Sequence, residues 1–154
     1  MALGDDISIL AETELFNLFE VEALRLIAFA AERRSLKKDD LLFRKGDRAD
    51  CGYVVISGSL RVEKEHNDKT AIIAKPGTLI GRLALFVRNV RPATATALEP
   101  SELLRISPTL LRKVLEEFPD CANAAHDALS ADLIEFTENL EKVRHLFEDD
   151  EPNN

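Results

Sequence analysis

Hydrophobic positions recur at helical spacing near the start of the chain. After an apolar group at residues 15–19, hydrophobic side chains follow three or four positions apart, with charged side chains between them. The hydrophobic positions of this second part are Val21, Leu24, Ile27, Ala28 and Ala31. No glycine or proline interrupts residues 7–34. The pattern therefore predicts helical structure over residues 7–34.

From residue 35 to about 106, the pattern changes to short apolar runs separated by turn residues. Glycine or proline stands in most of these turns, for example at Gly58 and at Pro76-Gly77. Short strands at this spacing predict a small β-barrel or β-sandwich. The predicted strands lie within residues 41–43, 53–56, 60–62, 71–74, 93–98 and 103–106.

Two helices are predicted to follow the strands. The first begins at Ser107-Pro108, because serine provides an N-cap oxygen and proline fits the first helical position, where no N–H is needed. The second begins after Pro119 and carries hydrophobic residues spaced 4, 3, 4, 3 and 4 apart, as in an a/d heptad stripe. We expect this stripe to be a dimer seam, and packing against its own domain is the alternative. Its members are Leu129, Leu133, Phe136, Leu140, Val143 and Phe147.

The length of the chain, 154 residues with 45% hydrophobic content, suits one domain with a buried core. We expect a single domain over residues 1–147, in which the C-terminal helix occupies about 120–147. The acidic residues 148–151 and the following Pro-Asn-Asn predict a disordered acidic tail over residues 148–154.

Charge and cysteine content narrow the classes of function. The net charge of -8 disfavours a stand-alone nucleic-acid binder, whose affinity rests on neutralising phosphates. The densest apolar stretch, residues 26–31, is far shorter than the ~20 residues that span a bilayer, so no membrane association is expected. Cys51 and Cys121 show no metal-ligand spacing and are expected as buried thiols of a cytoplasmic protein.

The segment from Gly81 to Arg91 carries the candidate chemistry. It contains three arginines and no acidic residue, although the chain as a whole is acidic. Gly81 allows a close backbone approach, and residues 82–85 suit one helical turn whose first N–H groups attract anions. Arg91 offers two parallel hydrogen bonds to a phosphate. The segment predicts an anion pocket, and exposed arginines that balance acidic neighbours are the alternative.

Several motifs together resemble the cyclic nucleotide-binding domain of the Crp/Fnr regulators and of protein kinase A regulatory subunits, over residues 12–147. They are Lys45-Gly46-Asp47, residues 52–60, Pro76-Gly77 and residues 81–94. The resemblance implies a mainly β fold with flanking helices. Its core is a double-stranded β-helix, or jelly-roll barrel, of about eight strands, between N-terminal helices and a long C-terminal helix that dimerises. The implied ligand is cAMP, cGMP or a related phosphate compound.

The resemblance also implies roles for individual residues. Arg91 corresponds to the arginine that pairs with the cyclic phosphate, and Thr94 to the hydroxyl residue that closes the motif. Thr137 stands about where bacterial activators place a hydroxyl against the purine. The backbone that faces ribose and phosphate corresponds to Gly81, Leu83 and Ala84.

Two positions depart from the pattern of the family. Arg82 stands where cyclic nucleotide-binding members usually carry a glutamate that accepts a hydrogen bond from the ribose 2′-hydroxyl, and arginine only donates. The loss of such a bond weakens binding roughly 10- to 150-fold. A second guanidinium at this position would in turn strengthen attraction for a more highly charged anion. Pro92 lacks the N–H that would otherwise reach the phosphate.

Catalytic and metal chemistry have no support in the sequence. There is no nucleophile–base pair and no phosphate-binding P-loop, and His66, His126 and His145 have no partner at metal-ligand spacing. We therefore expect a protein that is not an enzyme and has no metal or cofactor. Only ten residues follow Arg144, too few for a helix-turn-helix, so direct DNA binding is not expected.

Two functional hypotheses remain. The first is a homodimeric regulatory sensor that binds a cyclic nucleotide or a related phosphate ligand and signals through its C-terminal helix to an unknown protein partner. The second is a ligand-free scaffold for dimerisation or partner docking, in which the pocket is degenerate.

Overall fold

The computed structural model describes residues 3–65, 71–127 and 130. The chain begins with two helices, α1 (Leu3–Glu12) and α2 (Val21–Ala30), with a 3₁₀ turn at Phe16–Leu18 between them. Leu15, with φ 73°, stands directly before this turn, so the helical region is interrupted where the sequence predicted continuous helix. Within the described residues, no helix is both long enough and apolar enough to cross a bilayer.

The prediction that residues 32–34 are helical is wrong. Ala31 is already extended, with φ -68° and ψ 142°, and the strand β1 (Glu32–Leu36) begins at the next residue. β1 lies antiparallel to a later strand, with Arg33 opposite Leu104. Cross-strand pairing thus overrides the local helical pattern, because propensity is a weak determinant where tertiary contacts compete.

The nine remaining strands confirm the predicted β region. They are β2 (Leu41–Phe43), β3 (Arg48–Ala49), β4 (Gly52–Ser57), β5 (Leu60–Glu63), β6 (Ile72–Ala74), β7 (Leu79–Ile80), β8 (Asn89–Val90), β9 (Thr94–Ala97) and β10 (Ser101–Ile106).

The strands form two four-stranded antiparallel sheets and one two-stranded ribbon. The first sheet has the order β1-β10-β4-β7, the second the order β2-β9-β5-β6, and β3 pairs with β8. The mainly β class with flanking helices is therefore confirmed. The two sheets supply the predicted number of about eight strands, and the β3–β8 ribbon adds two more among the described residues.

The strand β4 separates two hydrophobic cores. Tyr53 and Val55 lie in the core between the two sheets, together with Phe43 of β2. Val54 and Ile56 point to the opposite side and pack with the helices. Side chains alternate along a strand, so a strand buried on both faces must be apolar at every position. This explains the uninterrupted apolar run at residues 53–56.

The predicted helix start at Ser107 is confirmed. Ser107 Oγ accepts the N–H of Leu110 at 3.1 Å, and Pro108 is the first residue of α3 (Pro108–Glu117). Residues 119–127 are helical again. Both cysteines are buried free thiols, as expected, and burial raises the pKa of Cys121.

Several predictions concern parts of the chain outside the described residues. They are the acidic tail at 148–154, Thr137, and the seam residues Leu129, Leu133, Phe136, Leu140, Val143 and Phe147. The dimer seam therefore stays a prediction.

Candidate functional site

A single 3₁₀ turn, Arg82–Leu85, follows the strand β7 and starts the candidate site. Gly81 precedes it with φ 77° and ψ 37°, a left-handed conformation that favours glycine. The turn is closed by the N–H of Ala84, which donates to the carbonyl of Gly81 at 3.1 Å. Ala84 and Leu85 are buried, and Leu85 packs into the helix-side core. The predicted helical turn is thus present, and the buried side chains of Ala84 and Leu85 fix it to the domain.

The backbone of Arg91 is held by the turn at residues 45–47. The N–H of Arg91 donates to the carbonyl of Asp47 at 2.7 Å, and the N–H of Gly46 donates to the carbonyl of Arg91 at 2.8 Å. Close by, the N–H of Lys45 donates to Thr94 Oγ1 at 3.0 Å. Two motifs that are more than forty positions apart in sequence therefore meet in one place.

The side chain of Arg91 points into the core between the sheets, and the residue is only 3% exposed. Its Nη2 donates to the carbonyl of Cys51 at 2.8 Å. The guanidinium carbon lies 4.3 Å from the ring centre of Phe43 and 5.7 Å from that of Tyr53. Both rings offer a cation–π contact. The alternative of an exposed, charge-balancing arginine is therefore excluded for Arg91.

Two nitrogen atoms of the buried guanidinium have no acceptor among the residues that the structure describes. Within the described residues, neither Nε nor Nη1 of Arg91 donates to any acceptor. A buried charge without a counter-charge is costly, and buried polar groups are nearly always hydrogen-bonded. The arrangement therefore suits an anion that accepts hydrogen bonds from both nitrogens.

Gly81 lies directly against this guanidinium. A Cβ built on Gly81 would collide with Nη1 of Arg91 and would contact the carbonyl oxygen of Cys51 at 3.4 Å. The glycine thus permits both the left-handed backbone and the close approach of Arg91. The two residues on which the predicted anion pocket depends are in contact.

Arg82 is engaged elsewhere. Its Nη1 forms an ion pair with Oε1 of Glu14, which lies between α1 and the 3₁₀ turn at Phe16–Leu18. The Glu14 carboxylate offsets part of the positive charge of the segment from Gly81 to Arg91. Arg82 thus links the turn to the N-terminal helical segment.

The other predicted site residues differ in their surroundings. Leu83 is half-buried in the turn, and Pro92 is exposed. Thr94 is half-buried, and its hydroxyl oxygen accepts the N–H of Lys45. Thr137 lies outside the described residues.

Sequence reasoning missed four residues that shape the site. Cys51 contributes a carbonyl, Phe43 and Tyr53 contribute rings, and Glu14 holds Arg82. Burial is the main cause that raises the pKa of Tyr53, and a hydrogen bond with Cys51 adds to it. Phe43 could have been identified by its position just before Lys45-Gly46-Asp47, whereas no local pattern distinguishes Glu14.

Comparisons with known proteins identify similar domains. Residues 33–118 match the family model of the cyclic nucleotide-binding domain. A solved cyclic nucleotide-binding-like protein from Brucella abortus is 38% identical, with a TM-score of 0.65 over 73% of this chain and 98% of that one. The N-terminal domain of a transcriptional regulator from Streptomyces coelicolor is 28% identical, with a TM-score of 0.73 over 86% of this chain and 94% of that one.

A much longer curated relative matches as well. The lysophospholipase nte1 of Aspergillus fumigatus is 30% identical over 96 residues, which are 60% of this chain and 6% of that protein. The chain thus corresponds to a small part of this relative.

Proposed function

This chain belongs to the cyclic nucleotide-binding domain family, and on that premise we propose that it is a regulatory sensor with an anionic ligand at Gly81 and Arg91. The ligand is cAMP, cGMP or a related phosphate compound. The observation that carries this proposal is the buried guanidinium of Arg91, whose Nε and Nη1 have no acceptor within the described residues. A phosphate placed there satisfies both nitrogens with charge-assisted hydrogen bonds.

The candidate residues have different roles at the proposed site. Arg91 binds the phosphate, and the backbone at Gly81, Leu83 and Ala84 faces the ribose and phosphate. The O–H of Thr94 is a further donor on the Arg91 side. Pro92 borders the site without contributing an N–H. The hydroxyl of Thr137, a residue outside the described part of the chain, is the proposed contact to the purine.

Arg82 sets the expected affinity. Its guanidinium pairs with Glu14, and it offers no acceptor for a ribose hydroxyl. We expect cyclic ribonucleotides to bind roughly 10- to 150-fold more weakly than to a site with glutamate at this position.

The proposed activity is regulatory and not enzymatic. Ligand binding changes the position of the C-terminal helix through different affinities for two helix arrangements, and the seam between two copies carries the signal to a protein partner. The buried free thiols suit a cytoplasmic protein. The proposed sensor has no metal or cofactor and contacts neither DNA nor a membrane directly. Light scattering of Leu133→Glu/Leu140→Glu against the wild type tests the seam, and a monomeric wild type contradicts it.

Thermal unfolding with cAMP, cGMP and inorganic phosphate tests the ligand site. A ligand at 100 times its dissociation constant adds about 2.7 kcal/mol of stability. We expect Arg91→Lys to lose this effect, because lysine cannot supply the two parallel donors. Arg88→Lys is the matched control, since Arg88 is an exposed arginine of the same segment. The absence of stabilisation by every ligand in the wild type and in Arg82→Glu would contradict the sensor.

A second candidate function is a ligand-free scaffold for dimerisation or partner docking. The ion pair between Arg82 and Glu14 favours it, because the position that usually reads the ribose serves a contact within the chain. Binding of cAMP by Arg82→Glu alone, with none by the wild type, would establish this alternative.

A further inference from the structure

The outer side of the β3–β8 ribbon combines positive charge with an exposed hydrophobic residue. Arg48 of β3 lies opposite Val90 of β8, and cross-strand partners share one side of a ribbon. Their neighbours Ala49 and Asn89 face the other side, where Ala49 is buried. Val90 is 60% exposed and Arg48 is exposed. The ribbon therefore presents Arg48 and Val90 to solvent as a pair.

Three more basic residues lie close to this pair along the chain. Arg88 stands just before β8, and Arg44 and Lys45 belong to the turn whose backbone is bonded to Arg91 and Thr94. All three are exposed. We call the whole surface the ribbon face, formed by Arg44, Lys45, Arg48, Arg88 and Val90.

The charges of the ribbon face are not neutralised by neighbouring side chains. In the part of the chain that the structure describes, none of its four cations forms an ion pair with a carboxylate. Two acidic residues lie nearby. Asp47 accepts the backbone N–H of Arg44 at 2.9 Å, and Asp50 lies 3.9 Å from Arg105, on another strand. The ribbon face thus carries an excess of positive charge, although the protein as a whole has a net charge of -8.

We propose that the ribbon face binds the acidic segment of the same chain, residues 148–151. The sequence there is Glu148-Asp149-Asp150-Glu151, directly after Phe147. Four carboxylates match the four cations, and the aromatic ring matches the exposed Val90. Attraction between opposite charges of this kind selects a partner even where each surface ion pair contributes little to the binding free energy.

The length of the chain allows this contact. Glu148 lies 18 positions beyond Ser130, the last described residue. Eighteen residues span about 27 Å as a helix and about 60 Å when extended. A domain of this size has a radius of gyration of about 15 Å and hence a diameter of about 40 Å. Because the segment is tethered, a high effective concentration makes a weak contact sufficient.

The test uses ¹H–¹⁵N spectra of the full chain. The variant E148Q/D149N/D150N/E151Q should shift the amide signals of Arg48 and Val90 relative to the wild type, while Val114 on α3 stays unchanged. Arg48→Gln/Arg88→Gln should cause shifts in the same region of the ribbon. Raising the salt from 0.05 to 0.5 M should abolish the difference between the wild type and the neutral variant, because exposed charges are then screened.

A synthetic peptide with the sequence of residues 146–152 provides the competition arm. We expect it to bind the neutral variant at least tenfold more tightly than the wild type, whose own segment occupies the face. Equal binding to both proteins, or unchanged Arg48 and Val90 signals in the variant, would overturn the proposal. So would wild-type signals that move towards those of the variant on dilution, since a second copy would then supply the segment.

Vesicles with phosphatidylserine test the other class of acidic surface. If they bind the wild type as strongly as the neutral variant, the ribbon face is open and the proposal is wrong. None of the ribbon-face residues has a role in the proposed phosphate site, so this inference and the ligand proposal fail independently.

Discussion

Gly81 and Arg91 are in direct contact, although ten positions separate them in sequence, and any side chain at Gly81 would displace the guanidinium of Arg91. Gly77 offers a comparison, because it has a similar φ of 91° and nothing within 4 Å of a Cβ built on it.

Gly81→Ala should therefore cost more than Gly77→Ala. Both substitutions place alanine in a left-handed conformation, which costs about 1–2 kcal/mol. Only Gly81→Ala also moves Arg91, so it alone should reduce phosphate binding. Urea unfolding and ligand titration of the two variants measure this, and equal effects on both quantities would contradict the contact.

Arg91→Met should leave the stability of the ligand-free protein unchanged or raise it by about 1 kcal/mol. Replacing a buried, incompletely paired charge by an apolar side chain of similar length removes its desolvation cost. The same change should eliminate stabilisation by phosphate ligands. Urea unfolding with and without ligand measures both, with Arg112→Met, at an exposed position on α3, as the control. A loss of several kcal/mol without ligand would indicate that the bond to Cys51 outweighs the unpaired nitrogens.

The stabilising contribution of Glu102 to folding should be lost in acid. A hydrogen bond from Ser35 at 2.7 Å, outweighing the opposing effect of burial, and the contact with Arg33 at 3.1 Å lower the pKa of Glu102. A carboxyl whose pKa is lowered by folding stabilises above its unfolded pKa, and this contribution disappears as the pH falls through the folded pKa.

Glu102→Gln should accordingly be destabilised at pH 7 and should approach the wild type as the pH falls below the ordinary glutamate pKa. Urea midpoints measured from pH 7 to pH 3 show the difference. Glu116→Gln, at an exposed position on α3, is the control. A constant difference at every pH would contradict a charge effect.

Ser107→Ala should cost about 1 kcal/mol, because the N–H of Leu110 loses its acceptor at the start of α3. Thr109→Ala changes an exposed residue of the same turn and should have a smaller effect. Thermal unfolding of both variants compares them. If the two lose equal stability, the cap contributes nothing specific.

Arg82 and Glu14 should show a weak coupling. The side chain of Glu14 is 63% exposed, and exposed ion pairs contribute about 0.2–1 kcal/mol. A double-mutant cycle with Arg82→Gln and Glu14→Gln measures it. A coupling that persists in 1 M salt would be inconsistent with an exposed pair.

Local patterns were sufficient where local chemistry decides the structure. The cap at Ser107, the turn after Gly81 and the apolar run of β4 each follow from a few neighbouring residues. Residues 32–34 were mispredicted because their strand exists only by pairing with β10, some seventy positions away.

The site was predictable only in part for the same reason. Gly81 and Arg91 were assigned to one candidate site because the motif places both in one segment, and the structure brings them into contact. The direction of Arg91, into the core above Phe43, depends on the packing of two sheets. The partner of Arg82 comes from the N-terminal segment, 68 positions earlier, and no periodicity encodes that meeting.

The strand β4 also limits how this domain can be altered. Since its successive residues belong to different cores, the helical layer cannot be exchanged for that of a relative while the sheets are kept intact. In a chimaera that replaces only the helices, the new helices would pack poorly against Val54 and Ile56. Grafting the candidate site at Gly81 and Arg91 onto another scaffold therefore requires transplanting β4 together with the helices it faces.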